Sequence, residues 1–293
     1  MADAGRVPGP VAAARVGGRA PVGLGWRPEI SGFVVSLADR IAFTEVVAEN
    51  LDPRDVHPGL EQLRVHGIPV VPHGVLLSLG GVAEPDPRRV AHLAACAEAV
   101  AAPLVSEHVA FTRAEVDGVV IEAGHLLPVP RTREALDVLA RNIRLVQAEL
   151  PVPLAVEPIA ALLDLGGEYD EATFLAELVE RTGVWLLPDI ANIYANARNH
   201  GGDPDTLLTA LPAERLAYAH VAGGRMVDGL YRDTHLDAVP QAVLDLLTRF
   251  TSARAAAGHP VLPVLLERDG DYATPSEFAA EVDAIGHAAG AGR

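Results

Sequence analysis

A single cysteine, Cys96, is the only thiol in 293 residues. That excludes a disulfide framework within the chain, a thiolate zinc site and a cysteine-ligated iron–sulfur cluster. Cys96 lies in LAACAEAV, a helix-like run, and reads as a small buried apolar residue. Aromatic side chains are also scarce, at 4%, and basic residues are outnumbered 23 to 39, for a net charge of −16. Few aromatics and a strong acid excess argue against nucleic acid as a partner. The same balance suits cations, or a cationic or neutral partner. No stretch approaches the roughly 18 consecutive apolar residues of a membrane span, so no membrane partner is expected. Residues 1–20 are rich in Ala, Gly, Pro and Arg and lack an apolar h-region. They read as a disordered arm instead of a signal peptide, which makes the cytoplasm the default location.

What the sequence does have is apolar residues, 49% of the chain, gathered in short runs. The stretch Leu186 to Gly202 is the most distinctive. A strand-sized run, Val184 to Leu187, delivers Asp189, and Asn192, Asn196, Asn199 and His200 follow. Taken alone, it is a strand followed by an Asn-rich capping turn. The same arrangement recurs, however, and the recurrence changes the reading. Apolar runs occur at Val22 to Trp26, closing on Arg27, and at Thr44 to Ala48, closing on Glu49 and Asn50. Further runs end at His73, at Glu107 and His108, at Glu157, at His220 and at Glu267. Helical segments separate them: Val34 to Arg40, His57 to His66, Asp86 to Ala101, Arg131 to Glu149, Glu171 to Arg181, Asp205 to Ala210, Pro240 to Ala257, and one starting near Pro275. Residues Arg113 to Pro130 read as a loop over the site.

Eight strands alternating with helices predict a parallel sheet, and the length fits a single (β/α)8 TIM barrel over residues 21–293. In such a barrel the C-terminal strand ends converge on one face. Six ionisable strand ends would then share one pocket with the loop pair Asp233 and His235. Four carboxylates pointed together would repel, and cations remove that conflict. The donors outnumber what one ion can use, which predicts two or three ions. Mixed imidazole and carboxylate donors suit zinc, iron or manganese, and ligand type alone does not choose among them.

The motifs GLGWRPE, HGVLLSLGG, LVSEHVAFT, LLPVPRT, DIANIY with NHG, AHVAGG and DTH occur in order between Gly23 and Glu267. In these the chain resembles the multinuclear non-haem iron-dependent oxidative enzymes, the barrel family whose best-known member acts in methanobactin biosynthesis. The resemblance implies a TIM barrel binding two or three iron ions (Fe2+/Fe3+), with dioxygen as co-substrate. It also implies a ribosomally made precursor peptide as substrate, often modified at cysteine, and a separate peptide-recognition protein as partner. Carried over position by position, it implies metal ligation by His73, His108, Glu157, Asp189, Asn192, His220, Asp233, His235 and Glu267. Glu107, Arg27 and Glu49 are the neighbouring groups considered for acid–base work. The chain departs from the family pattern at Pro158, Ala191 and Gly224. The broader superfamily includes zinc endonucleases of the endonuclease IV type, with D-x-x-H where this chain has D-x-x-N. A zinc phosphodiesterase and a non-catalytic metal-binding scaffold are therefore the alternative expectations.

Overall fold

The computed structural model describes residues 20–290; the N-terminal arm, residues 1–19, and residues 291–293 lie outside the described residues. Twelve strands occur among the described residues. They are β1 (Val22–Trp26), β2 (Phe43–Val47), β3 (Val70–His73), β4 (Val105–His108), β5 (Ala110–Val116) and β6 (Val119–Pro128). The others are β7 (Leu154–Glu157), β8 (Trp185–Leu186), β9 (Ala219–Ala222), β10 (Gly224–Val227), β11 (Leu230–Asp233) and β12 (Val264–Glu267). Eight of them form one parallel sheet in the order β8-β7-β4-β3-β2-β1-β12-β9. The two end strands meet through parallel bridges at Leu186–Leu216 and Asp189–His220. The sheet thus curls into the expected barrel.

The helices are α1 (Ser31–Ser36), α2 (Pro58–Val65), α3 (Pro87–Val100), α4 (Arg133–Glu149), α5 (Glu171–Thr182), α6 (Ile190–His200), α7 (Pro204–Ala210), α8 (Gln241–Ala256) and α9 (Pro275–Gly290). Their starts are written in the sequence. Asp86, Thr132, Asp170, Asp189 and Asp203 each accept a backbone N–H of the first helical turn, satisfying donors that the helix itself cannot. None of the described helices is long and apolar enough to cross a membrane.

Strand alternation is what places the site. Phe43, Val71, Leu104, Ala155, Leu187, Tyr218 and Leu265 form a small core apart from the larger helix-facing one. Side chains two residues apart on a strand share a face. Glu45, His73, Ser106, Glu157, Asp189, His220 and Glu267 each follow one of those residues by two positions. A layer of apolar side chains therefore plugs the barrel, and a layer of polar ones sits directly above it. Gly23 on β1 completes the lower layer, since a Cβ there would lie 2.7 Å from the Phe43 ring.

Several sequence expectations are corrected. The first helix is Ser31–Ser36 instead of Val34 to Arg40. β2 ends at Val47, and Glu49 sits in the 3-10 turn that follows. Residues 110–128 form an antiparallel hairpin instead of a loop. Its turn residues Asp117 and Gly118 both have positive φ, 53° and 77°, as tight hairpin turns require. The Asn-rich stretch is helix α6, not a turn. His220 is the second residue of β9, not its end.

One buried amide ties the outer layer to the loop after β3. Asn142 on α4 donates through Nδ2 to the carbonyls of Leu79 and Gly81, both at 2.9 Å. Asn142→Ala leaves these buried acceptors without a donor, which should cost about 2 kcal/mol. Urea unfolding should show a lowered midpoint with an unchanged slope.

Candidate metal centre

The polar layer gathers donors from β3, β4, β7, β9 and β12, from Asp189 beyond β8, and from Asp233 and His235 at the end of the antiparallel β10–β11 pair. His73 and His108 approach Nε2 to Nε2 at 3.3 Å, and each lies 3.7 Å from Glu157 Oε2. His220 Nδ1 lies 3.4 Å from Glu157 Oε2 and 3.2 Å from Glu267 Oε2. His235 Nε2 is 2.7 Å from Asp233 Oδ2. Three donor groups emerge, each with its ligand atoms within 4.8 Å of one another: His73–His108–Glu157, Glu157–Asp189–His220–Glu267, and Asp189–Asp233–His235. The first two share Glu157, and the last two share Asp189. Two further groups, Glu45–His73–Glu267 and His235–Glu267–Asp269, meet the same limit.

Four atoms in these three groups are buried without a hydrogen-bond partner: Glu157 Oε2, Asp189 Oδ2, His220 Nδ1 and Asp233 Oδ1. Buried polar atoms are rarely left so, because desolvating them costs free energy. All four belong to imidazole or carboxylate side chains of these donor groups. A divalent cation satisfies such atoms, so the donor set fits a metal.

The charges agree. Asp189 is pushed up to about 8 by burial and by the repulsion of Asp233 and Glu157. Burial opposes protonation of His220, but Glu45 and Glu157 outweigh it and hold the imidazole well above its ordinary value. His108 rises to about 9, with burial again outweighed, here by Glu107 and Glu157. Burial would raise Glu267, yet His235 and His220 hold it well below the usual carboxylate range. Metal ions supply the positive charge that protonated imidazoles otherwise provide, releasing those protons on binding.

Each imidazole is also held from behind. His73 Nδ1 is 2.8 Å from Ser106 Oγ, and His220 Nε2 is 3.0 Å from Glu45 Oε2. His108 Nδ1 faces the Gly74 carbonyl at 3.2 Å, and His235 Nδ1 faces Asp269 Oδ2 at 3.4 Å. Such outer bonds fix which ring nitrogen is presented inward. Asp269 is in turn gripped by Arg27, whose guanidinium donates Nε–H to Oδ1 at 3.1 Å and makes a second bond through Nη2.

A sequence model of the family described as RiPP precursor modification enzyme MbnB/TglH/ChrH matches residues 21–289. RiPPs are ribosomally synthesised, post-translationally modified peptides. The chain belongs to this family. Among other members, a UPF0276 protein of Streptomyces avermitilis is 51% identical over 267 residues, covering 90% of this chain and 54% of that protein. The chain thus spans about half the length of that relative. A UPF0276 protein of Caulobacter vibrioides is 36% identical over 268 residues, covering 89% of this chain and 91% of its own. Solved structures extend the fold beyond the RiPP family. D-psicose 3-epimerase from Clostridium cellulolyticum aligns with a TM-score of 0.56 at 10% identity, over 93% of this chain and 96% of that one. Endonuclease IV from Thermus thermophilus aligns with a TM-score of 0.55 at 19% identity, over 90% and 98%. At such identities the likeness is one of fold alone, that of the (β/α)8 barrel.

Eight of the nine residues that the family resemblance implicates occur in the three donor groups. The ninth, Asn192, adjoins them: its Nδ2 donates to Glu157 Oε1 at 3.1 Å and to the Pro158 carbonyl at 3.2 Å, leaving Oδ1 as its only donor atom for an ion. The three acid–base candidates are otherwise engaged. Glu49 Oε1 accepts the N–H groups of Val75 and Leu76, both at 3.0 Å. Glu107 accepts those of Leu77 at 2.8 Å and His108 at 2.7 Å. Both carboxylates thus pin the segment after β3, and Arg27 braces Asp269. His200, at the end of the same stretch, is exposed and bonds the Ala161 carbonyl at 2.7 Å. Sequence reasoning missed Glu45, Ser106, Tyr218 and Asp269. Ser106 and Tyr218 each sit two residues before a histidine it did single out, His108 and His220, which is the signal that would have found them.

Proposed function

We propose that the chain is a multinuclear non-haem iron enzyme that uses dioxygen to oxidise a residue of a ribosomally made precursor peptide. The carrying observation is the sharing of Glu157 and Asp189 among three donor groups that hold four buried atoms without a hydrogen-bond partner. In this reading His73, His108, Glu157, Asp189, His220, Asp233, His235 and Glu267 hold two or three iron ions. Asn192 completes the set through Oδ1 while its amide steadies Glu157. Such a centre, when loaded, supplies redox equivalents and open positions for dioxygen and substrate. The chain's own part is to space the ions with two shared carboxylates, to fix the ring nitrogens, and to keep Glu107 and Glu49 on the loop behind. A separate peptide-recognition protein presents the substrate, and the reaction takes place in the cytoplasm, where ribosomally made peptides arise.

Chain purified anaerobically and reconstituted with ferrous iron should hold at least two iron ions by plasma mass spectrometry. Its dioxygen uptake should require a precursor peptide encoded beside its gene. At most one ion per chain would remove the multinuclear reading. Cleavage of abasic-site DNA with zinc as the sole metal would put a phosphodiesterase in its place.

A further inference from the structure

Three buried side chains outside the nine implicated by the family resemblance lie directly behind the centre, Glu45 among them although it also falls in one of the two further donor groups. Glu45 on β2, Ser106 on β4 and Tyr218 just before β9 are 1%, 0% and 0% exposed. They form one unbroken path between two imidazoles of different donor groups. His73 Nδ1 is 2.8 Å from Ser106 Oγ, which is 3.0 Å from the Tyr218 hydroxyl. Tyr218 donates to Glu45 Oε2, and the same oxygen lies 3.0 Å from His220 Nε2.

The direction of every hydrogen bond follows from the carboxylate end. A carboxylate has acceptors only, so both Tyr218 and His220 donate to Glu45. Tyr218 has one hydroxyl hydrogen, spent on Glu45, so its oxygen accepts from Ser106. Ser106 likewise spends its hydrogen on Tyr218 and accepts from His73 Nδ1–H. One anion thus dictates that His73 offers Nε2 and His220 offers Nδ1. Those are the nitrogens that face Glu157, at 3.7 and 3.4 Å.

A simpler role, filling the barrel, does not explain the composition. The layer beneath is filled by Phe43, Val71, Leu104, Ala155, Leu187 and Leu265, with Tyr218 its one polar-tipped member, and apolar residues in place of Glu45 and Ser106 would fill the barrel at less desolvation cost. We infer that Glu45, Tyr218 and Ser106 are positioning residues that set the tautomers of His73 and His220 together, so that two neighbouring metal positions depend on one carboxylate outside the ligand set. The inference rests on the metal-centre reading above, but not on iron, dioxygen or peptide.

Cobalt(II) is a suitable probe, because its visible spectrum reports ligand geometry. Glu45→Gln keeps the side chain's shape and removes its charge. Loss of such an outer partner should weaken cobalt binding about 10–100-fold, and the loss should fall on both positions, the one built around His220 and the one built around His73. Tyr218→Phe removes one oxygen and cuts the path between Ser106 and Glu45. It should weaken the His73 position while His220 keeps its partner. In both variants the Asp233–His235 position should retain the parent's cobalt spectrum, and far-ultraviolet circular dichroism should be unchanged. Chelator competition showing parental affinity and spectrum in both variants would overturn the inference. So would equal loss of every position together with helical signal, which would mark the three residues as mere fold support. A parent chain that takes up no cobalt would instead overturn the metal centre on which the inference stands.

Discussion

Glu157→Gln should strip at least two metal positions from the chain, abolish turnover and leave the barrel standing. Glu157 Oε2 is buried without a partner and lies within 3.7 Å of ring nitrogens of His73, His108 and His220. Its Oε1 meanwhile accepts the Asn192 amide at 3.1 Å. Glutamine offers one oxygen and one NH2. Placed toward the centre, the NH2 presents hydrogens to the ions; placed toward Asn192, it meets another donor. Neither orientation reproduces a bridging anion. Outer partners of metal ligands are already worth about 10–100-fold in affinity, and a ligand shared by two groups should exceed that range. The apolar layer below, including Ala155, is untouched. Plasma mass spectrometry should therefore show metal loss beside an unchanged circular dichroism spectrum; global unfolding would mark Glu157 as structural instead.

Asp189→Asn is the second large effect, and it separates two roles of one side chain. Asp189 Oδ1 caps α6, accepting the N–H groups of Ala191 at 2.6 Å and Asn192 at 3.1 Å. Asn caps helices about as well as Asp, so α6 should persist. Oδ2 is the unpartnered atom that faces the donor groups, and as an NH2 it repels a cation. Only the His73–His108–Glu157 position should survive, lowering the metal count to one per chain with helix content intact. A variant that keeps the parental metal count would remove Asp189 from the ligand set.

These residues were legible because a carboxylate or imidazole at the end of an apolar run is costly unless it has a use. The barrel followed from eight such runs, and the helices over 86–101 and 131–149 fell close to where the sequence placed them. Legibility failed where the informative position lay inside a strand. Glu45 is flanked by Thr44 and Val46, and nothing in that run marks it as facing the barrel interior until the register with β1 and β3 is known. Ser106 was passed over for Glu107, although alternation sends Ser106 inward with His108. The 110–128 hairpin was missed for another reason. Its Val116-Asp-Gly-Val119 turn was in view, but the exposed Val119, Val120 and Ile121 lack the polar–apolar alternation that usually announces a strand.

The seam of the barrel has a consequence of its own. Between β8 and β9 the ring is joined by bridges at Leu186–Leu216 and Asp189–His220, and the second of these joins two residues of one donor group. The chain between them is a long excursion through α6 and α7, so this contact brings together segments that have no local reason to meet. In the proposed centre, an ion held by Asp189 and His220 would act as a clasp on the hoop, beside the backbone bridge. Metal supply would then tune how tightly the ring is fastened at this one place, with its strands and helices formed either way.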